Sequence, residues 1–339
     1  MSSASRQPMS AAGLEHLLPL ISAKAAVSPV EFHASVNRVF HSHESAVYDR
    51  VHREMALTLP RHFNALVDAF LAKYPLPESI TVLDIGCGTG LSAELLLGTA
   101  LGSRITHLDL LDTSDEMLKR CAQRPALQRV TRRLICGTLE ALPPDATYDV
   151  ILTCSVLHHI PDLHSFFRQL RGLHRQGGMF LHLQDPNGDF MDDMELQRRI
   201  EQFDRTQRKP HWLKRITAER VLRRLRAVVT GKQAHNYIDL INEDLLRSGV
   251  IKQAMTDNEL WSVTDIHIYN GKGISLRGLE RLLAGYELVS SRAYSFFGTM
   301  YSELGPRFQK EEDRLHKDGA RNGMHVAAAW RRSDLPGSE

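Results

Sequence analysis

The sequence lacks several features that mark specialised classes of protein. Its four cysteines form no Cys-x-x-Cys pair, which argues against a zinc ribbon and fits reduced thiols in a cytoplasmic protein. No apolar run reaches the roughly 18 residues that a membrane helix needs, and the apolar patch at 17–21 is too short for a signal sequence. Lys and Arg (42) nearly balance Asp and Glu (40), so the chain as a whole is not a strongly basic nucleic-acid binder.

What is present is an ordinary globular composition with a clear change of pattern along the chain. Hydrophobic residues make up 42% and charged residues 24% of the 339 residues, which excludes a disordered or fibrous protein. Apolar residues recur at helical spacing between 29 and 73 and predict two or three amphipathic helices. Short apolar runs then alternate with helical patterns, a sequence typical of a parallel sheet covered by helices on both faces.

The predicted elements follow this alternation. Strands are expected at 80–85, 105–111, 130–136, 148–153 and 179–184, with helices at 91–97, 115–123 and 163–174 between them. After Pro186 the pattern is helical to about 265, and two more strands are expected at 286–297 and 325–330. We therefore predict four segments: a helical extension at 1–75, an α/β core at 76–186, a helical insertion at 187–275, and the completion of the core sheet at 276–339.

The most informative stretch is the glycine-rich turn after the first predicted strand. Gly86, Gly88 and Gly90 let the backbone turn tightly and approach a ligand closely. A dinucleotide-binding turn would have its third glycine where Leu91 stands, and a phosphate-binding P-loop needs a lysine that does not follow Gly90. Asp84 would repel a pyrophosphate but favour an ammonium group, so the turn predicts a ligand other than a nucleotide phosphate.

This turn resembles motif I of the class I S-adenosylmethionine-dependent methyltransferases, of the small-molecule kind known as types 11 and 12. The resemblance extends over about 80–186, a third of the chain. It implies S-adenosyl-L-methionine as cofactor and a Rossmann-like α/β fold with seven strands, the last of them antiparallel. In this chain a helical N-terminal extension and a helical lid inserted between strands 5 and 6 would be added to that fold.

The resemblance also implies which residues bind the cofactor. Asp84 and the glycines would line its methionine part, and Asp112 would accept hydrogen bonds from both ribose hydroxyls. Thr138 stands where the family usually has an aspartate for the adenine amino group, and its hydroxyl is a weaker acceptor. The full set is Tyr48, Asp84, Gly86, Cys87, Gly88, Gly90, Asp112, Thr113, Met117, Gly137, Thr138, Leu139, Cys154 and Ser155.

Histidines are the candidates for a general base, since their ordinary pKa lies near neutral pH. His159 follows the fourth strand, where the resemblance implies proximity to the cofactor, and its neighbour His158 has a similar position. His267 follows the helical insertion, and Asp265, at the same strand parity, would orient it. No metal is expected, because Asp185 and Asn187 offer two oxygen ligands without a third.

The insertion contains a basic stretch. Residues 198–226 hold eleven Lys and Arg against three acidic residues, a net charge of +8, which is either a solvated helix face or a docking surface for an anion. We expect an enzyme that methylates a small-molecule acceptor, with an anionic acceptor as one option, in specialised metabolism, and O-methylation is preferred. The alternatives are an RNA or carrier-bound substrate, or a non-catalytic cofactor-binding protein. No membrane partner is expected, nucleic acid is disfavoured, and a homodimer is compatible with the sequence.

Overall fold

The computed structural model describes residues 12–207, 237–269 and 273–333, and within them one seven-stranded sheet dominates. The strands run in the order β3-β2-β1-β4-β5-β7-β6. Strands β1 to β5 are parallel, and β7 is antiparallel to both β5 and β6. Their bounds are β1 Ile80–Ile85, β2 Ile105–Asp112, β3 Thr131–Cys136, β4 Tyr148–Cys154, β5 His174–Pro186, β6 Tyr286–Tyr294 and β7 His325–Arg332.

Helices cover both faces of this sheet because its central strands are apolar on both sides. Six of the seven residues of β4 are buried, as expected for the middle of a parallel sheet. One face packs against α5 (Pro60–Leu71), α6 (Leu91–Leu97) and α7 (Asp115–Gln123). The other face packs against α8 (Leu163–Leu173) and α13 (Leu276–Leu282).

A third hydrophobic cluster joins the N-terminal helices to the helices that follow β5. The N-terminal group contains α1 (Leu18–Lys24), α2 (Pro29–Glu44), α3 (Tyr48–Val51) and α4 (Arg53–Thr58). The later group contains α9 (Met194–Gln207), α10 (Tyr237–Arg247), α11 (Asp257–Thr264) and α12 (Ile266–Tyr269), and α14 (Pro306–Lys317) lies between β6 and β7. Buried side chains of α2, such as Phe32 and Phe40, pack with Ile241 of α10 and Leu260 of α11.

The predicted Rossmann-like architecture, with seven strands and the last antiparallel, is confirmed. The bounds of β1, α6 and α7 agree with the prediction, whereas β5 is longer than predicted at both ends. The predicted sixth strand stops at Tyr294, because Ser295 has a positive φ of 58°. Residues 208–236 of the predicted helical insertion, and with them most of the basic stretch, lie outside the described residues. None of the described helices is both long and apolar enough to cross a membrane.

Candidate active site

A cavity of about 360 Å³ opens at the carboxyl ends of β1, β2 and β4, the edge where open α/β sheets bind ligands. Its volume lies in the range of small-molecule sites, about 300–1,000 Å³. We call the part lined by the ends of β1 to β4 the cofactor end. The part lined by α2, by the loop at 155–162 and by α11 is the acceptor end.

The glycine turn forms the floor of the cofactor end, and its three glycines have different reasons to be glycine. All three have positive φ, from 52° to 86°. A Cβ on Gly86 would stand 2.6 Å from a methyl carbon of Val156, and one on Gly90 would stand 2.7 Å from Leu127. A Cβ on Gly88 would meet no described atom within 4 Å. Gly88 therefore borders the open space of the cavity, whereas the other two are glycine because of tight packing.

Asp112, the last residue of β2, lies half-buried beside this turn and holds it in place. Its Oδ2 accepts a hydrogen bond from the Gly88 N–H, and its Oδ1 accepts one from the Ser114 N–H, both at 2.8 Å. Burial raises the pKa of the Asp112 carboxyl, and these two backbone donors oppose the rise. Each carboxylate oxygen keeps a second lone pair, which a pair of ligand hydroxyls can use.

The loop after β3 closes the far side of the cofactor end. Gly137, Thr138 and Leu139 line the cavity, as predicted, together with Met117 of α7. The Thr138 hydroxyl donates to the carboxylate of Glu140, which also lines the cavity and which the sequence analysis did not single out. A carboxylate therefore lies beside the Thr138 hydroxyl, two residues after the position where the family usually has an aspartate.

Three residues predicted to bind the cofactor lie behind the turn instead of lining the cavity. Asp84 is buried and accepts a hydrogen bond from the Ser92 hydroxyl at 2.6 Å, so it faces α6. Burial raises the pKa of Asp84 to about 7. Cys87 is buried in the hydrophobic core, and Gly90 packs against Leu127 and Cys121. The alternation of side chains along β1 and the tight turn point these three residues into the protein interior. We therefore correct their predicted role from binding the cofactor to shaping the turn.

The acceptor end is built around His158, whose ring is fixed by a buried carboxylate. His158 Nδ1 lies 2.9 Å from Oδ1 of Asp185, and the His158 backbone N–H also points to that oxygen at 3.3 Å. Burial raises the pKa of Asp185, but His158 and His182 facing it lower the value more, so Asp185 stays ionised. Nδ1 then carries the proton of neutral His158, and Nε2 is left as the basic nitrogen.

An irregularity in β5 brings Asp185 to this position. Gln184 has a φ of 65°, and the pairing register with β7 shifts between His182 and Asp185. Both residues therefore lie on one side of the strand, with 3.6 Å between His182 Nδ1 and Asp185 Oδ2. The Tyr294 hydroxyl bonds the Gln184 backbone N–H and side-chain oxygen, each at 2.9 Å, and holds the bulge in place.

The two histidines predicted as catalytic have different surroundings. His159 lines the cavity, and its Nδ1 lies 2.7 Å from the Thr264 carbonyl oxygen. Burial lowers the pKa of His159 well below its usual value, so the ring is neutral at pH 7. His267 does not line the cavity. Residues 266–269 form a helix, so His267 and Asp265 do not lie on one side of a strand as expected. His267 Nε2 is hydrogen-bonded to the Ile160 carbonyl oxygen at 2.8 Å. We therefore correct the assignment of His267 as a base.

A half-buried ion-pair group of Glu44, His41 and His52, which we call the roof, lines the cavity near Asp112. Glu44, at the end of α2, lies 3.3 Å from His41 Nδ1 and 3.2 Å from His52 Nε2. Burial raises the pKa of Glu44, but the two histidines outweigh it and lower the value to about 2. Tyr48 lines the cavity next to this group, where the sequence predicted that it would cover the cofactor.

Ligand atoms of His158, His159 and Asp265 lie within 4.8 Å of one another, the spacing of a metal site. The nitrogen of His159 nearest to Asp265, at 3.4 Å, is Nδ1, which donates to the Thr264 carbonyl. A protonated nitrogen cannot bind a metal, so Nε2 is the possible ligand atom of His159. The absence of a metal stays a prediction.

Comparison with known proteins agrees with this geometry. Residues 83–182, which contain the glycine turn, Asp112 and His158, match the family model described as a methyltransferase domain. This match and the strand order support a class I S-adenosylmethionine-dependent methyltransferase domain in this part of the chain. A ubiquinone biosynthesis O-methyltransferase of Methylocella silvestris is 37% identical over 124 residues, which is 36% of this chain and 46% of that protein. The 27-O-demethylrifamycin SV methyltransferase of Amycolatopsis mediterranei is 31% identical over 124 residues, 36% of this chain and 44% of that protein.

The chain thus matches less than half the length of these curated relatives. Among solved structures, the plantazolicin methyltransferase BpumL in complex with SAH has a TM-score of 0.45 and 15% identity. That likeness covers 89% of this chain and 95% of the other.

The cofactor end fits S-adenosylmethionine on its own geometry. Open space stands above Gly88, where a side chain would intrude, and Asp112 has two lone pairs available for ribose hydroxyls. Glu44 and Asp112 both line the cavity and suit the positive sulfonium and ammonium groups of this cofactor.

Proposed function

We propose that this methyltransferase transfers the methyl group of S-adenosylmethionine to a hydroxyl oxygen of a small molecule. The observation that carries the proposal is that one cavity holds both parts of the reaction. Asp112 and the glycine turn line one end, and the His158–Asp185 pair lies at the other. A cofactor and an acceptor bound together in this cavity are brought into contact, which can lower the barrier by roughly 7–11 kcal/mol.

The cofactor residues of the proposal are those whose atoms border the cofactor end. Asp112 would bind the ribose, Gly86 and Gly88 would pass close to the methionine part, and Thr138 with Glu140 would accept from the adenine amino group. Met117, Leu139 and Gly137 would flank the ring. Thr113, Cys154, Ser155 and Tyr48 also line the cavity and would complete the enclosure.

His158 is proposed as the general base. When bound, the cofactor supplies a methyl group on a positively charged sulfur, which is already activated for transfer. A hydroxyl acceptor must lose its proton as its oxygen forms the new bond to carbon, and His158 Nε2 would take that proton. Asp185 would hold Nδ1 and stabilise the imidazolium that results. A positioned base of this kind contributes about 10²–10⁴-fold to the rate.

The relatives support a small acceptor without identifying it. Their names place methyl transfer in ubiquinone biosynthesis and on a demethylrifamycin, and another relative, from Priestia megaterium, is a malonyl-[acyl-carrier protein] O-methyltransferase (30% identity; 34% of this chain and 40% of that protein). We propose a role in specialised metabolism, with N-terminal and inserted helices acting as a lid. A cytoplasmic location is proposed on the four cysteines, which are all free thiols.

The test measures cofactor binding and methyl transfer separately. Calorimetry should show binding of S-adenosylmethionine, and Gly88→Val should abolish it, because a branched side chain would enter the cavity and φ is positive there. Labelled cofactor should then transfer methyl groups into a small-molecule extract and leave an RNA pool unlabelled. A protein that binds cofactor and labels only RNA would overturn the small-molecule acceptor, and one that binds no cofactor would overturn the whole proposal.

A further inference from the structure

The charges around the cavity restrict which acceptor can enter it. Five carboxylates line the cavity: Glu44, Asp112, Glu140, Asp162 and Asp265. Among the described residues that line it, none is Lys or Arg. This wall suits a positively charged cofactor, but an anionic acceptor would approach several like charges without a cation to pair with. At about 6 Å in a partly buried site, one such repulsion corresponds to a roughly 100-fold loss of affinity.

The histidines of the acceptor end do not supply the missing positive charge. Burial lowers the pKa of His33 to about 4 and holds the pKa of His159 well below its usual value, so both rings are neutral at pH 7. Burial lowers the pKa of His41, but the hydrogen bond to Glu44 and the nearby carboxylate charges together outweigh it and raise the pKa. The charge of His41 is paired with Glu44. The acceptor end is thus neutral to negative.

The hydrogen-bonding groups of the wall favour a donor. The Asn37 side-chain nitrogen donates to the carbonyl oxygens of His33 and Val263, at 3.1 and 3.4 Å, and this fixes the orientation of the amide. Its oxygen Oδ1 is then buried with no partner in the described part of the chain, although Asn37 lines the cavity. A hydroxyl on the acceptor can donate to this oxygen, whereas a carboxylate cannot.

The shape of the acceptor end favours a flat ring. Phe40 and Trp261 lie edge to face with their centroids 4.8 Å apart, and both line the cavity. His41 and His159 form a second edge-to-face pair at 5.1 Å. Phe40 is buried behind Trp261, whereas Trp261, His41 and His159 are half-buried and offer ring surface against which an aromatic acceptor can pack.

We propose that the acceptor is an aromatic alcohol without an anionic group, a phenol or naphthol whose ring packs against Trp261. This inference rests on the proposed function and narrows its substrate class. An aromatic acceptor would pack against the rings of this wall, and its hydroxyl would reach the proposed base, His158. Since phenols ionise near pH 10, such an acceptor needs a base, whereas a carboxylate acceptor does not. The part of the basic stretch at 208–226 lies outside the described residues, so the inference concerns the described cavity wall.

The test is a panel of matched acceptors with labelled S-adenosylmethionine. 2-Naphthol, catechol and their methyl-substituted derivatives form the uncharged aromatic set. 3-Hydroxy-2-naphthoate and 3,4-dihydroxybenzoate are the carboxylated counterparts, and cyclohexanol is the aliphatic one. We expect kcat/KM to be at least about 10-fold higher for the uncharged aromatic set than for each counterpart. Calorimetry on protein saturated with S-adenosylhomocysteine should show the same order of binding.

Two variants separate the ring and charge arguments. Trp261→Leu should raise the KM for 2-naphthol about 10-fold with an unchanged KM for the cofactor, and Asp265→Asn should narrow the gap between 2-naphthol and its carboxylated counterpart. Leu57→Ala, at an exposed position on α4, is the control. Preference for a carboxylated or aliphatic compound would overturn the inference, as would a protein that binds cofactor but methylates none of the panel. Loss of cofactor binding itself would instead contradict the proposed function.

Discussion

The two ends of the cavity are built in different ways. The cofactor end comes from one continuous stretch, in which each strand is followed within a few residues by the groups that line the cavity. The acceptor end is assembled from segments far apart in the chain: the Asn37 side chain on α2 bonds the carbonyl of Val263, 226 residues later. A site made from local turns has a recognisable sequence pattern, whereas a site made from remote helices depends on tertiary packing.

This difference explains what the sequence could predict. The glycines, Asp112 and the loop at 137–139 follow strands directly, so strand ends fixed their positions, and the bounds of β1, α6 and α7 were correct. His267 was wrong because a helix at 266–269 replaced the assumed strand. The sequence analysis considered Asp185 only as a metal ligand. The bulge at Gln184 turns Asp185 toward His158, and the sequence pattern of this strand does not predict that bulge.

The largest expected effect is at the acceptor end. His158→Ala removes the proposed base, and we expect kcat to fall about 10²–10⁴-fold with an unchanged cofactor affinity. His164→Ala is a matched control, since His164 is exposed on α8 only six residues away. Single-turnover methyl transfer and calorimetry measure the two quantities. Wild-type kcat in the His158 variant would mean that this ring does not act as the base.

The second effect belongs to the cofactor end. Asp112→Ala removes a charged hydrogen-bond acceptor, and we expect cofactor binding to weaken by about 1.5–3 kcal/mol, roughly 10–150-fold. Acceptor affinity in the presence of S-adenosylhomocysteine should change much less once the cofactor site is saturated. Asp145→Ala, at an exposed position before β4, is the control. Equal cofactor affinity in a folded Asp112 variant would contradict the proposed ribose contact.

The third test concerns the stability of the roof. The lowered pKa of Glu44 means that its ionised form stabilises the fold above its unfolded-state pKa, about 4.5, and that this contribution is lost as the pH falls toward 2. Glu44→Gln should therefore lower the free energy of unfolding by about 2–3 kcal/mol at pH 6. The difference between variant and wild type should shrink as the pH is lowered from 5 to 2.

Denaturant unfolding followed across this pH range checks the sign. The raised pKa of His41 acts in the opposite direction: its contribution is present below about pH 6.5 and is lost as the pH rises through the raised value. The effect of Glu44→Gln should thus be largest between these two transitions. A difference that stays constant from pH 2 to pH 6 would show that Glu44 contributes through its shape and not through its charge.

The smallest expected effect is at the contact between α3 and the glycine turn. Asp49 of α3 accepts hydrogen bonds from the Thr89 hydroxyl in the glycine turn, at 2.6 Å, and from Arg124, at 3.0 Å. These contacts join the N-terminal helices to the cofactor turn, but the Asp49 side chain is 59% exposed, and exposed ion pairs contribute only about 0.2–1 kcal/mol. Asp49→Asn should therefore speed cofactor release only about two- to fivefold, and high salt should reduce the difference. Asp313→Asn breaks a comparably exposed pair with Arg61 and serves as the control. Stopped-flow release rates that are equal in wild type and Asp49→Asn would show that the N-terminal helices and the glycine turn move independently.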